Sequence, residues 1–401
     1  MGQEADEHFN RGNALAARGL HADAEAAYRE ALRLEPQDFQ AMSNLADCLR
    51  QRGRPDEAIA LYGAALAVQP GEAQLHANLS AALHAAGRFD DGVASLRRLL
   101  EIDPWHAGAH RNLGWLLLAL GRFEEGWAEY RWRAHGAAPR LPAPGLPVHL
   151  AGGAGIGDTI FFLRFALRLE GPLAAHVDAR LVSLLQRSGV FASVVAQESP
   201  AAGAIPVGDL PALTGMASAA DAPPPLVLAA REDLRAALAA ELAALGPAPY
   251  LGVLWRSGTR DLEGALLKQL PAEMLGAALR GTAGTVLVLQ REAEPGEAAR
   301  FAAALGREAH DLSGTQQDPE RLLALLDLLD DYVGVSSSAV HLRAGLGRGC
   351  RVLVPMPPEW RWMTAGAASP WFPGSRVYRQ AVDGSWRAAL EALARELGAQ
   401  G

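Results

Sequence analysis

A regular spacing of 34 residues runs through the first third of this 401-residue chain. Four glycines and three prolines keep this spacing: Gly19, Gly53, Gly87, Gly121, Pro36, Pro70 and Pro104. Each interval holds one alanine- and leucine-rich segment before the glycine and another after it, as in "NALAARGLHADAEAAYREALRLEP". Glycine suits the turn between two helices, and proline ends the second helix. The pattern therefore predicts stacked helical hairpins that share a continuous core.

A period of 34 residues is typical of tetratricopeptide repeats. The units run roughly over residues 5–38, 39–72 and 73–106, and a fourth unit from 107 lacks the closing proline. An atypical terminal unit suits a cap or a junction. We therefore predict a tetratricopeptide domain of about four repeats over residues 1–135.

An asparagine recurs at the same position of the first helix in all four units: Asn10, Asn44, Asn78 and Asn112. First helices of such repeats line the concave surface of the superhelix. A ladder of carboxamides there can hydrogen-bond to the backbone of an extended peptide, largely independently of its sequence. This interpretation predicts a protein or peptide partner. The alternative is that the asparagines bond between neighbouring repeats and serve stability alone.

The charge balance argues against several partners. The chain has 37 basic and 45 acidic residues and a net charge of −8, whereas nucleic acids and anionic membranes require a basic face. The sequence has no run of about 18 apolar residues, the length that is needed to span a bilayer, and it has no amino-terminal targeting pattern. Cys48 and Cys350 indicate neither a disulfide framework nor a zinc site. We expect a soluble, cytoplasmic protein without a nucleic-acid partner or membrane insertion.

The rest of the chain predicts two α/β lobes. Residues 136–147 are rich in proline, glycine and alanine, which is typical of a linker. Short apolar runs then alternate with helical segments, first over 148–245 and again over 246–401. This alternation predicts parallel sheets covered by helices, with a ligand at the carboxyl ends of the strands. The predicted fold class is α + α/β, a tetratricopeptide superhelix followed by two Rossmann-like lobes.

The first lobe opens with the glycine-rich turn "GGAGIGDT" at residues 152–159. Gly152, Gly157 and Thr159 fit a phosphate-binding P-loop, but Asp158 stands where that motif has a lysine. A carboxylate repels phosphate, and the turn also fails to match the glycine pattern of a dinucleotide site. A nucleotide phosphate is therefore not expected at this turn.

Several segments, in their order and spacing, resemble a known family. It comprises bacterial tetratricopeptide proteins with a carboxyl-terminal glycosyltransferase-like domain of the GT-B architecture, related to heptosyltransferases. The segments are "FEEGWAEYRWR", "GIGDTIFFLRF", "GVLWRSGT", "SSSAVHLRAGLGR", "PPEWRWM" and "SPWFPGSRVYRQ". The resemblance covers nearly the whole chain and implies a GT-B pair of lobes. The repeats are also similar to those of the O-linked N-acetylglucosaminyltransferase, which modifies proteins.

The resemblance implies a role for the acidic turn. In heptosyltransferases a Gly-Asp pair at this turn places the carboxylate that deprotonates the acceptor hydroxyl, so Asp158 would be the base here. Gly155 and Gly157 would let the acceptor approach the backbone. The alternative is that Asp158 caps a helix beginning at Thr159.

The second lobe would hold a nucleotide-sugar donor. Ser336, Ser337 and Ser338 lie where a strand runs into a helix, and free amides at a helix start suit a diphosphate. By resemblance, the basic position that touches phosphate in heptosyltransferases is occupied by Lys268. The other predicted donor contacts are Trp255, Arg256, Gln290, His341, Glu359 and Trp360.

The predicted donor site requires no metal, because cations would stabilise the leaving diphosphate and no convincing D-x-D motif is present. Two of its residues have ordinary alternatives: His341 as a plain helix histidine and Lys268 as a solvated surface lysine. Related proteins usually have Asp-Thr-Ser where this chain has Ser336 to Ser338. The sequence leaves open whether this departure removes only a helix cap, changes the donor or abolishes activity.

The sequence is compatible with two main functions. The first is a glycosyltransferase that moves a sugar from a nucleotide-sugar to a hydroxyl of a protein held by the repeats. The second is a non-catalytic adaptor whose lobes are a scaffold or a nucleotide sensor. A transferase acting on lipid or polysaccharide is disfavoured, because the repeats offer a peptide groove and no basic amphipathic membrane helix is evident. Retention of Asp158, Lys268 and His341 together favours the enzyme over the adaptor.

Overall fold

The computed structural model describes most of the chain. The described residues are 2–133, 141–143, 145–153, 155–197, 203–257, 268–291 and 293–398. Much of the predicted linker 136–147 lies outside this set, as do the last two residues of the predicted repeat domain.

The chain divides into two compact units. The first comprises residues 1–120 and 128–135, and the second comprises 121–127 and 136–401. The sequence pattern places segment 121–127 in the fourth repeat, but in the structure this segment belongs to the C-terminal unit.

The described part of the N-terminal region is helical and built from hairpins. Its helices are α1 (Gln3–Ala16), α2 (His21–Leu34), α3 (Phe39–Gln51), α4 (Pro55–Val68), α5 (Ala73–Ala85), α6 (Phe89–Ile102), α7 (Ala107–Ala119) and α8 (Phe123–Tyr130). The glycine of every hairpin turn has a positive φ, between 72° and 79°. Glycine adopts this left-handed conformation without steric cost, which explains why it recurs at this repeat position.

A hydrogen-bonded network joins the first two repeats. The Asn44 Nδ2 of α3 donates to Asn13 Oδ1 of α1 at 2.9 Å, and the Tyr28 hydroxyl donates to the same oxygen at 2.7 Å. Tyr28 is buried in the repeat core. The carboxamide of Asn44 therefore bonds to the preceding repeat, as the stability alternative predicts.

The second interface repeats this arrangement with one substitution. Asn78 Nδ2 donates to Asp47 Oδ2 at 3.4 Å, and the buried Tyr62 donates its hydroxyl to Asp47 Oδ1 at 2.8 Å. At the third interface the corresponding acceptor position is Ala81, which has no polar side chain. Asn112 is exposed on α7.

The first sheet of the C-terminal unit is parallel, as predicted. Its strands are β1 (Val148–Ala151), β2 (Leu173–Val177), β3 (Ser193–Ala196) and β4 (Ile205–Pro206), in the order β3-β2-β1-β4. The helices of residues 148–245 are α9 (Ile156–Leu163), α10 (Val182–Arg187), α11 (Leu210–Leu213) and α12 (Glu232–Leu245). Helix α12 packs against the helix Pro319–Leu328 of the second sheet region, to which two ion pairs join it.

The second sheet is larger and has a reversal of strand order. Its region contains the strands β5 (Tyr250–Leu254), β6 (Arg256–Ser257), β7 (Lys268–Gln269), β8 (Thr285–Val288), β9 (His310–Asp311), β10 (Asp331–Val335), β11 (Arg351–Val354) and β12 (Arg376–Arg379). Its helices are α13 (Ala272–Ala278), α14 (Glu297–Leu305), α15 (Pro319–Leu328), α16 (Ser338–Gly345) and α17 (Arg387–Gly398).

Six of these strands form a parallel sheet in the order β12-β11-β10-β5-β8-β9, while β6 and β7 form a separate antiparallel pair. Counted along the chain, the six follow the order 3-2-1-4-5-6 of doubly wound sheets, which reverses between β5 and β10. Strands β8 and β11 are buried at every position, as expected where helices cover both faces. The carboxyl ends of β5 and β10 therefore flank the crevice in which such sheets bind ligands.

Helix α9 of the first lobe packs closely on α16 of the second. A Cβ atom at Gly157 would lie 2.8 Å from His341 Cδ2 and 3.3 Å from the Cα of Ser338. Gly157 is therefore required for this approach, because any larger side chain would force the helices apart. An ion pair also joins the lobes, since both guanidinium nitrogens of Arg187 on α10 contact the Glu320 carboxylate at 2.5 and 2.7 Å.

An aromatic core lies beside this helix contact. Trp127, Phe161, Trp360 and Trp371 are almost fully buried, and their ring centroids lie 5.2 to 6.0 Å apart in edge-to-face pairs. Such pairs are favourable beyond the area that they bury. Trp127 belongs to segment 121–127, so its packing explains why this segment counts with the C-terminal unit.

Replacing Asn44 with alanine should destabilise the repeats by about 1 kcal/mol, because Asn13 loses one hydrogen bond. The matched control is Asn10→Ala, since Asn10 is exposed on α1 and surface substitutions usually change stability by less than about 0.5 kcal/mol. The buried thiol of Cys48 on α3 reports unfolding of the repeats, and that of Cys350 reports the C-terminal unit. In a urea titration followed by thiol labelling, the midpoint for Cys48 should be lower in N44A than in wild type, and it should be unchanged in N10A. Equal midpoints in the two variants would show that the Asn44 bond adds no stability.

Replacing Gly157 with alanine should destabilise the C-terminal unit by about 1 to 3 kcal/mol, because its Cβ would overlap His341. Better helix propensity offsets at most about 1 kcal/mol of this loss. Gly155→Ala is the control, since its Cβ would meet Asp158 Oδ2 at an ordinary 3.4 Å and its φ is −102°. The urea midpoint of Cys350 labelling should fall in G157A and stay near wild type in G155A. Wild-type stability of G157A would mean that α9 and α16 do not need this close approach.

Candidate functional site

The predicted serines lie at the reversal of strand order in the second sheet. They follow β10, and α16 begins at Ser338 with Ser337 as its N-cap in extended backbone. The side chain of Ser337 makes no capping bond, and its hydroxyl lies 3.3 Å from the Tyr332 hydroxyl. Because a helix N-terminus has amides without intrahelical partners, this end of α16 is suited to an anion.

Glu359 lies at the centre of the charged groups in this region. Its Oε2 accepts from Lys268 Nζ at 2.7 Å and from Ser336 Oγ at 3.0 Å, and its Oε1 accepts from Arg361. Burial raises the pKa of Glu359, but the neighbouring Lys268 and Arg361 lower it by more, so the net pKa is far below its usual value. The carboxylate is therefore ionised and accepts from all three donors.

Arg361 links this cluster to the first lobe. Its NH2 donates to Asp158 Oδ1 at 2.5 Å, and only 6% of its side chain is exposed. The guanidinium carbon lies 4.4 Å from the Trp360 ring centroid and 4.6 Å from that of Phe161. These cation–π contacts hold the guanidinium in a fixed place.

Asp158 lies in the first turn of α9, which begins at Ile156 rather than at Thr159. The N-cap is Gly155, and no side-chain cap is present, so the alternative that Asp158 caps a helix is wrong. The Asp158 side chain is 56% exposed. Its carboxylate is thus accessible from solvent while the buried Arg361 orients it.

His341 is buried against α9 rather than open to solvent. Burial lowers its pKa well below the usual value, and the neighbouring Arg361 lowers it further. The ring is therefore neutral, and its edge meets the Phe372 ring at a centroid distance of 5.1 Å. Its Nδ1 has no hydrogen-bond partner among the described residues. A neutral ring can still donate one hydrogen bond. In this structure the His341 ring of α16 packs directly against Gly157 of α9.

The loop after β5 is held by Gln290. Its Oε1 accepts from the backbone amides of Trp255 and Arg256 at 3.2 and 2.9 Å. The Trp255 ring is buried and stacks on Phe301, and Arg256 pairs with both oxygens of Glu297 at 2.7 and 3.0 Å. These three predicted donor contacts therefore support the loop. Residues 258–267, which continue it, lie outside the described set.

Two arginines of the site were missed by sequence reasoning. Besides Arg361, Arg164 is buried beside Phe161 and donates to the Trp371 carbonyl at 2.6 Å. Burial, assisted by Arg361, lowers the pKa of Arg164 to about 9. The signal was an arginine inside each of the apolar runs "FFLRF" and "WRW", because a charge in such a run requires bonding partners.

Lys268 carries a further signal that sequence reasoning overlooked. It is the single lysine of the chain, since all the other basic residues are arginines. The pairing of β6 with β7 places Lys268 opposite Ser257, and 23% of its side chain is exposed. An ammonium binds phosphate as a compact point charge, whereas a guanidinium binds it through a planar, bidentate fork.

The structure thus brings together six predicted residues: Asp158, Lys268, Ser336, His341, Glu359 and Trp360. Trp360 is buried, so its ring packs on Arg361 and the aromatic core rather than facing a crevice. Gly157 faces His341. The four asparagines belong to the other unit.

A cavity of about 390 Å³ lies elsewhere, at the amino ends of β10, β11 and β12. Its arginines already have partners, since Arg351 contacts Asp331 and Glu396, and Arg343 donates to backbone carbonyls. Within the described part of the chain, no group of three or more His, Cys, Asp or Glu residues could hold a metal ion. The same residues include no helix long and apolar enough to cross a membrane.

Comparison with solved structures gives similarity over about a third of the chain. MamA from Desulfovibrio magneticus RS-1 is 20% identical, with 32% of this chain and 71% of that chain covered and a TM-score of 0.30. A tetratricopeptide protein from Parabacteroides merdae is 22% identical, with coverage of 33% and 52% and a TM-score of 0.31. YrrB, described as having an unusual peptide-binding site, is 19% identical, with coverage of 32% and 66% and a TM-score of 0.30.

A search of curated proteins gives no match. The family model for tetratricopeptide repeats matches residues 9–73, 51–107 and 78–134. These matches agree with the helical hairpins of the structure and with the predicted period. The N-terminal part of the chain is therefore an array of tetratricopeptide repeats.

Proposed function

We propose that the protein is a glycosyltransferase of the GT-B type, which moves a sugar from a nucleotide-sugar to a hydroxyl of a protein held by the repeats. One observation carries the proposal. Asp158 of the first lobe is bonded through Arg361 to the cluster of Lys268, Ser336 and Glu359 in the second. One residue predicted on the acceptor side and three predicted on the donor side, far apart in the sequence, thus belong to one connected network.

The donor would bind at the reversal of strand order in the second sheet. Its diphosphate would lie at the N-terminus of α16, where backbone amides and Lys268 offer positive charge. Lys268 is partly exposed, so an incoming phosphate can reach its ammonium. These groups would stabilise the negative charge that develops on the leaving nucleoside diphosphate, without a required metal ion.

Asp158 would take the proton of the acceptor hydroxyl. The acceptor oxygen then bonds to the anomeric carbon of the sugar, and the bond from that carbon to the diphosphate oxygen breaks. The carboxylate is 56% exposed and oriented by Arg361, so a bound hydroxyl can come within the roughly 3 Å that general base catalysis requires.

The repeats would hold the protein acceptor. Repeat arrays of this kind present extended concave surfaces to partners, and the exposed Asn10 and Asn112 are available on the first helices. Asn44 and Asn78 already bond to the neighbouring repeat with one amide hydrogen, so they combine a stabilising role with a polar surface.

A non-catalytic adaptor is the second candidate, and one observation favours it. Both cations predicted to meet the diphosphate are already paired, Lys268 with Glu359 and Arg256 with Glu297. Such pairing is also what a scaffold that binds no ligand would contain. Nucleotide binding and sugar transfer therefore have to be tested separately.

A nucleoside diphosphate should bind in the presence of a metal chelator, because the proposed contacts are amides and cations. Isothermal titration with a panel of nucleoside diphosphates measures the affinity, which Lys268→Met should lower about tenfold or more. Lys268→Arg is the control that keeps the charge and should retain part of the affinity. Amine labelling gives a second readout, since bound nucleotide should protect the single lysine. Unchanged affinity in K268M would place the nucleotide elsewhere.

Asp158→Asn should lower sugar transfer by about a hundredfold or more, because the amide preserves the shape of the side chain but accepts no proton. The assay incubates the full chain with a captured partner protein and a panel of nucleotide-sugars, and intact mass measures the transfer. Nucleotide affinity of the same variant is the control and should persist. Full transfer by D158N would remove Asp158 from the mechanism, and no transfer by wild type with any donor would favour the adaptor.

A further inference from the structure

We propose that Glu359 is an internal counter-anion, which occupies the phosphate position of the unliganded protein and is displaced by the ligand. The inference rests on the proposed function in taking this cluster as the phosphate site. It adds a regulatory element to that site, because a ligand would have to compete with a carboxylate of the protein itself.

The geometry of the donors supports this inference. Lys268 Nζ and Ser336 Oγ, two groups predicted to bind phosphate, both contact the same Glu359 oxygen, at 2.7 and 3.0 Å. Arg361 donates to the other oxygen. An ammonium, a hydroxyl and a guanidinium converging beside a helix N-terminus are a typical donor set for a phosphate. In this structure the anion that they share is a side chain.

The charges explain why an internal anion is needed. Arg361 is 6% exposed, and leaving a buried charge unpaired is strongly destabilising. Asp158 lies at the exposed side of Arg361 and supplies only part of the compensation. Glu359 therefore neutralises the cluster whenever no ligand is present, and a phosphate that enters can take over this function.

Displacement requires the cation to stay in place while the carboxylate moves. Arg361 is held between aromatic rings, so its guanidinium stays in place when the anion is exchanged. Glu359 precedes the short helical turn Trp360–Trp362, with extended backbone at φ −65° and ψ 141°. The Glu359 side chain is 7% exposed, so displacement requires its carboxylate to rotate about the side-chain torsions while the backbone stays fixed.

Competition with an internal carboxylate would make the site selective for charge. A ligand with two phosphates offers more negative charge to Lys268 and Arg361 than a carboxylate does, whereas a single phosphate offers little advantage. The site would thus discriminate a nucleoside diphosphate from inorganic phosphate, which is abundant in cells.

Inorganic pyrophosphate is the probe that tests the proposal without any nucleotide or sugar. In Glu359→Gln the carboxylate charge is lost at nearly constant volume, so isothermal titration should show pyrophosphate binding about tenfold or more tighter than in wild type. The gain should disappear in the double variant K268M/E359Q. Amine labelling of Lys268 should be faster in E359Q and be suppressed by pyrophosphate.

Glu25→Gln is the matched control. Glu25 is similarly buried and contacts Arg29, Arg52 and Arg54 in the N-terminal unit. These arginines are 34 to 54% exposed, so their release should give little gain for pyrophosphate. An equal gain in E25Q would show that any unpaired cations bind the probe, and would overturn the proposal.

If E359Q folds poorly, its melting temperature provides a second measurement. Its melting temperature should fall, because the cations lose their anion, and pyrophosphate should restore it by mass action. Glu359→Asp retracts the carboxylate by one methylene, so it should fold more readily and show a smaller gain. A folded E359Q or E359D that binds pyrophosphate no more tightly than wild type would overturn the proposal. A gain for pyrophosphate without binding of any nucleotide would sustain the counter-anion and contradict the transferase.

Discussion

The C-terminal unit depends on a guanidinium placed among aromatic rings. Arg361 is buried where α9 of one sheet meets α16 of the other, and its two ends contact carboxylates from different lobes. Without this cation the buried Glu359 would lose one of its two counter-charges, and the exposed Asp158 would lose the group that orients it. Arg361 orients Asp158, acts together with Lys268 to keep Glu359 ionised, and adds to the burial that keeps His341 neutral. Gly157 permits the arrangement because it has no side chain that would keep the two helices apart.

The repeats hold their helices together with hydrogen bonds from neutral donors. Tyr28 and Tyr62 bury their rings between helices and need acceptors for their hydroxyls. Asn13 and Asp47 supply these acceptors and also receive the carboxamide of the next repeat. A residue that the 34-residue period marks as a binding position therefore has a structural task as well. Binding and stability are not exclusive interpretations of a periodic polar residue.

Much of the fold could be predicted from the sequence, because periodicity and residue type act locally. The positive φ of the hairpin glycines and the parallel strands follow from patterns visible within one repeat or one βα unit. The site was predictable only in its residue types. That Lys268 and Ser336 contact Glu359, and that Trp255 is buried on Phe301, depends on how distant segments pack. The start of α9 at Ile156 was missed because glycines mask the beginning of a helix, and Arg361 was missed because its partners lie in two different lobes.

Helix α8 has a consequence for how the chain can be divided. Its first residues, up to Trp127, belong to the C-terminal unit, whereas the residues from Ala128 onward belong to the repeats. A boundary drawn at the end of the last repeat would remove Phe123 and Trp127 from the rings of Phe162 and Trp371, with which they pack. The smallest fragment that keeps the aromatic core intact therefore begins inside the repeat pattern, near residue 121. Recombination that joins other repeat arrays to these lobes would have to carry this half-helix along.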